Sequence, residues 1–200
     1  MSDTQSLHSD LAFMRAVADD RGPLPRTIGE HMLAPGLIFT ANFLLIWVIY
    51  EHWIEWPVRQ YAFLWVPGVA VYMSIYPVLM WRSRGTVIGP AARAFAAAWC
   101  GVALMTFAAV ATTAAASLSL GRSFYEIWPS LAFVLYSGAW AAVAIVRRQA
   151  GWGLVALGCF ATAVAAAATL TSPVTWLVLA AGLFLFVAGP GWTIVRRAER

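Results

Sequence analysis

Nineteen residues from Met32 to Tyr50 pass without a single charge. In helical form, about 20 apolar residues are what it takes to cross the hydrocarbon core of a bilayer. Five further stretches qualify, giving expected spans at Met32–Tyr50, Ala62–Trp81, Ala94–Ser117, Ile127–Val146, Ala150–Leu170 and Pro173–Val195. Composition agrees. The chain is 62% hydrophobic and 11% charged, with a mean hydropathy of +0.74, against about a quarter charged in soluble domains. The expected fold is an all-α integral membrane protein. Its loops are short, so neighbouring spans are expected to run antiparallel, as three hairpins in one six-helix bundle.

The basic residues set the expected orientation. All thirteen are arginine, and basic residues in short loops stay on the cytoplasmic side. With the N-terminus inside, Arg15, Arg21, Arg26, Arg82, Arg84, Arg93, Arg147, Arg148, Arg196, Arg197 and Arg200 lie on one face, and only Arg59 and Arg122 on the other. Both termini are therefore expected in the cytoplasm. Tryptophans fit this split: Trp53, Trp56, Trp65, Trp128 and Trp176 fall towards outer ends, and Trp81, Trp99, Trp152 and Trp192 towards inner ones. Residues 1–26 read as a cytoplasmic segment, 27–195 as the membrane domain and 196–200 as a basic tail.

The N-terminal segment is polar and acidic, unlike a cleavable signal. Within it Leu7, Leu11, Met14 and Ala18 share a helical face, while Arg15, Asp19 and Asp20 lie off it. A short amphipathic helix in the membrane interface is expected, stopped by Gly22-Pro23. Thr27–Glu30 and Ser123–Glu126 fit capping boxes, Pro90 and Pro173 suit first-turn positions, and Ser172 is placed to cap the last helix. Ile-Val-Arg-Arg occurs at 145–148 and again at 194–197, and the second span ends with Arg82 and Arg84; this reads as one anchoring solution used three times rather than as a duplication.

Within lipid, helices approach closely through small residues. The third and fifth spans hold most of them, with Gly101 and Gly158 as packing positions, so these two are expected at the centre. The bulkier first, second and sixth spans, with Leu183, are expected nearer lipid. Pro67-Gly68, Pro77 and Gly189-Pro190-Gly191 mark kinks. The intramembrane polar residues singled out are Asn42, Tyr72, Tyr76 and Tyr136; none is charged, which speaks against proton relays and voltage sensing. An interhelical hydrogen bond is the expected role of Asn42.

Chemistry has few footholds. Glu51, His52 and Glu55 follow the first span and share one helix end, so they are the metal candidates. Two carboxylates and one imidazole from a single helix leave a shell incomplete, and the position also suits a helix leaving the bilayer, with Trp53 and Trp56 at the interface. Tyr136-Ser137-Gly138 superficially resembles the serine turn of rhomboid proteases, but Leu135 stands where glycine would, and no later span holds a histidine base. His8, His31 and His52 lie at or beyond helix ends, out of place for haem. Cys100 and Cys159 read as buried thiols at similar depth. No cofactor is expected.

Ser9–Pro25 and Ala188–Arg200 resemble segments of uncharacterised small multi-pass inner-membrane proteins of proteobacteria. That resemblance implies a setting, the bacterial inner membrane, and no active residues. The function expected is non-enzymatic, exerted through protein or lipid contacts as a sensor, regulator or accessory subunit. The alternative is a small-solute permease or channel with a neutral path lined by kinked second and sixth helices. The expected partners are the bilayer, with anionic lipids at the cytoplasmic face, and a protein partner or second copy, but no nucleic acid.

Overall fold

The computed structural model describes residues 8–12, 14–15, 24–54, 64–84, 89–121 and 127–199. Among these the regular structure is all helical. Six long helices follow in order: α1 (Arg26–Tyr50), α2 (Val66–Ser83), α3 (Pro90–Leu120), α4 (Trp128–Arg147), α5 (Ala150–Ala168) and α6 (Val174–Ala198). Five of them are long and apolar enough to cross a membrane; α2 is not among the five. Two prolines, two tyrosines and Arg82 dilute its 18 residues. Residues 8–12 and 14–15 are helical and exposed. Leu7, Ala18 and Gly22-Pro23 of the expected amphipathic segment lie outside the described residues, as do Ser123–Glu126.

The packing order differs from the order in sequence. α2 rests on α1, α1 on α6, α6 on α5, α5 on α4, and α4 on α3. The centre is therefore α6, with 56% of its apolar window buried, whereas α3 has 11%. This corrects the expectation that α3 lies at the centre and α6 nearer lipid, whereas α5 packs between α4 and α6. Gly101 has no heavy atom within 4 Å of where a Cβ would sit, and Leu183 is buried. Small side chains on α3 permit close approach, but nothing packs on that face. Cys100, on the same helix, is exposed and only Cys159 is buried.

What draws α6 inward is backbone contact with α1. A Cβ on Gly36 would lie 2.7 Å from the amide nitrogen of Ala188, and one on Gly191 2.7 Å from that of Leu33. Gly29 is as tight, 2.8 Å from the Gly191 carbonyl. Glycine is required at these crossings because backbone, unlike a flexible side chain, cannot move aside. On the other flank of α6 a Cβ on Gly158 of α5 would collide with the Phe186 ring at 2.2 Å.

α6 is not a regular helix. Residues Phe184–Ala188 form a π-helical turn, in which the Gly189 amide bonds the Phe184 carbonyl five residues back. The cause is Pro190. Its ring excludes the carbonyl of residue 186 and it has no N–H to offer that carbonyl. Helix starts also depart from expectation. Pro25 occupies the N-cap of α1 and makes no side-chain cap bond, so Thr27 and Glu30 lie inside the helix instead of forming a capping box. Pro90 opens α3 as expected. Ser172 accepts the Val174 amide at 3.3 Å, while Pro173 stands at the N-cap rather than in the first turn.

Candidate functional site

The charged stretch after α1 is first of all a helix terminus. His52 takes a left-handed conformation, φ 59°. Its amide bonds the Ile49 carbonyl at 3.0 Å, and the Trp53 amide reaches the Val48 carbonyl at 3.1 Å. This pair of reversed bonds is a Schellman closure, which satisfies carbonyls the helix leaves orphaned. An apolar contact usually completes it, and here the Trp53 and Trp47 rings meet at 5.1 Å. Glu51 and His52 are exposed, and Glu55 lies outside the described residues. Among the described residues no group of three or more His, Cys, Asp or Glu is placed to hold a metal ion. The second left-handed non-glycine, Arg148, closes α4 in the same way through bonds to Ala144 and Ile145.

Inside the spans, several polar side chains bond backbone. The Asn42 Oδ1 accepts the Gly68 amide at 3.1 Å. Gly68 is the third residue of α2, where helix amides have no internal partner, so a side chain of α1 caps α2. A Cβ at position 68 would lie 2.9 Å from the Asn42 Cγ, so glycine makes the bond reachable. The Ser137 hydroxyl donates to the Ala156 carbonyl at 2.9 Å and joins α4 to α5. Thr40 donates to the Gly36 carbonyl at 2.6 Å and approaches that of Ala180 at 3.4 Å. Thr162 donates to the Gly158 carbonyl at 2.8 Å.

Aromatic rings gather at two levels. Trp65 of α2, Trp128 of α4 and Trp176 of α6 meet beside Phe43 and Tyr50 of α1, with Trp65 and Trp128 centroids 4.7 Å apart. At the second level Trp140 stacks flat on Trp152 at 4.8 Å and meets Trp99 edge-on at 5.4 Å, and Tyr136 adjoins Trp99 at 5.5 Å. The Trp140 indole donates to the Phe186 carbonyl at 3.1 Å. Tyr72 and Tyr76 lie on the α1–α2 contact, beside Phe39 and His31 respectively.

Charges collect at one end. Glu30 accepts Arg26 at 2.8 Å and Arg82 at 3.3 Å, and Arg26 also pairs with Glu199 at 3.0 Å. These contacts place the start of α1 beside the ends of α2 and α6. Arg196 lies over the Trp192 ring at 4.7 Å. Sequence reasoning missed the role of Glu30, because it was assigned as the capping-box partner of Thr27 and its four-residue spacing to Arg26 was not considered. It also missed Gly29, Gly36 and Gly191, although glycines seven apart on one helix were a visible signal. In comparisons with known proteins, no family model, curated protein or solved structure matches this chain.

Proposed function

We propose that this chain is a six-span inner-membrane protein of bacteria, with both termini cytoplasmic, that acts through contacts with lipid and with a protein partner as a sensor, regulator or accessory subunit. The observation that carries this reading is α3. It runs 31 residues, about 46 Å of helix against a hydrocarbon core of about 30 Å. It packs on α4 alone to any extent, leaving Leu104 at 72% and Phe107 at 69% exposed. A helix held by so little internal contact presents a face to its surroundings.

The antiparallel six-span arrangement is supported by the ends that meet. Arg26, Arg82 and Glu199 share one end, and Trp65, Trp128 and Trp176 share another level. The arginine split then assigns the first end to the cytoplasm, where anionic lipid headgroups suit it. A solute path along α6 is disfavoured by its packing. The break at Pro190 is filled by Trp140 on one side and by Leu33 and Gly29 on the other.

A photo-crosslinking residue at Phe107, activated in native membranes, tests the proposal. The expected result is a discrete protein adduct from Phe107 and lipid adducts alone from Phe160, which is exposed on α5. Lipid adducts alone from both positions would contradict a protein partner on α3.

A further inference from the structure

The α1–α2 seam carries a continuous line of polar groups. At the charged end Glu30 holds Arg82. Next, the His31 and Tyr76 rings lie 6.3 Å apart, and Tyr76 and Tyr72 5.8 Å apart. One turn beyond Tyr72 is Gly68, whose amide Asn42 accepts. At ~1.5 Å per residue, Tyr72 lies about 16 Å along the axis from Ser83, near the bilayer midplane. A phenol hydroxyl at that depth needs a partner, since hydrocarbon offers none.

The line ends at an unfinished group. Asn42 is only 4% exposed, yet its Nδ2 has no hydrogen-bond partner. Because Oδ1 is committed to Gly68, the amide orientation is fixed and a donor is what remains. Leaving such a donor buried and unpaired costs ~1–3 kcal/mol. Outward of Asn42 the seam is shut by Phe43 against Trp65 at 5.1 Å, with Trp176 behind them.

We infer that the α1–α2 seam is a hydrated blind recess, entered at the Glu30–Arg82 end and closed at Asn42, where the free Nδ2 binds a small neutral molecule with an acceptor oxygen, water being the simplest. Neutrality follows from the lining, which among the described residues carries no carboxylate or guanidinium beyond Glu30 and its two partners Arg26 and Arg82 at the mouth. The aromatic closure makes it a pocket and not a channel.

Thiol accessibility tests this in inside-out vesicles, with both native cysteines replaced by alanine. Reaction with a polar methanethiosulfonate needs the hydrated thiolate. Tyr76→Cys and Tyr72→Cys are expected to react about tenfold faster than Val78→Cys and Ala70→Cys on the outward face of α2, a ratio equivalent to ~1.4 kcal/mol. Equal rates at all four positions would overturn the recess. Since the tyrosine variants disturb packing, the unaltered protein in lipid nanodiscs provides a second reading by hydroxyl-radical labelling. Oxidation of Tyr72 well above that of lipid-exposed Phe160 is expected, and Tyr72 as inert as Phe160 would overturn the inference.

Discussion

The indole of Trp140 donates to the carbonyl of Phe186 at 3.1 Å, the one carbonyl in α6 that Pro190, four residues on, can neither bond nor approach. A side chain of α4 thus completes the backbone of α6. Trp140→Phe is expected to destabilise the protein by about 2 kcal/mol, because the carbonyl is left buried without a donor. Pro190→Ala restores an amide there, so the indole should matter less in its presence. A double-mutant cycle on thermal unfolding in detergent should give a coupling of about 1 kcal/mol. Strict additivity would show that the indole does not stand in for the amide that Pro190 lacks.

Alanine substitution separates the two kinds of glycine. Gly101→Ala meets open space and should gain ~0.5–1 kcal/mol from helix propensity alone. Gly36→Ala places a methyl 2.7 Å from the Ala188 nitrogen, so overpacking of ~1–3 kcal/mol should exceed that gain. Opposite signs in the unfolding temperature are expected. Equal responses would mean that the α1–α6 crossing is not close.

His52→Gly should stabilise the protein by ~1 kcal/mol, since a left-handed conformation penalises any residue with a Cβ. His52→Ala should be nearly neutral, as alanine bears the same strain. Divalent metal titration of the parent protein and of both variants should be indistinguishable. Stoichiometric metal binding lost in both variants would restore the metal reading of Glu51 and His52.

Unbroken apolar length made five of the spans legible, with α2 falling short, and α3 starts at Pro90 where a first-turn proline put it. Packing order was not legible. Small residues advertise α3 as plainly as α5, but only tertiary register decides which glycine meets backbone, and Gly36 meets Ala188 across 152 positions in sequence. Asn42 and Gly68 were each visible, one as a polar residue in an apolar run and the other after a proline. Their pairing depends on how far α1 slides along α2, which neither sequence segment specifies. His52 carried no signal for a left-handed turn, because glycine or asparagine ordinarily marks that position. It was weighed as a ligand, and its backbone role was not foreseen.

The central claim is a chain crossing the membrane six times, with the Arg26–Glu30–Arg82 end in the cytoplasm. Single cysteines at Trp53 and Ser83, in a protein whose native cysteines are replaced by alanine, test it in intact cells with a membrane-impermeant thiol reagent. The account predicts that Trp53→Cys is modified, and that Ser83→Cys is modified only after the membrane is opened. Modification of Ser83→Cys in intact cells would contradict it.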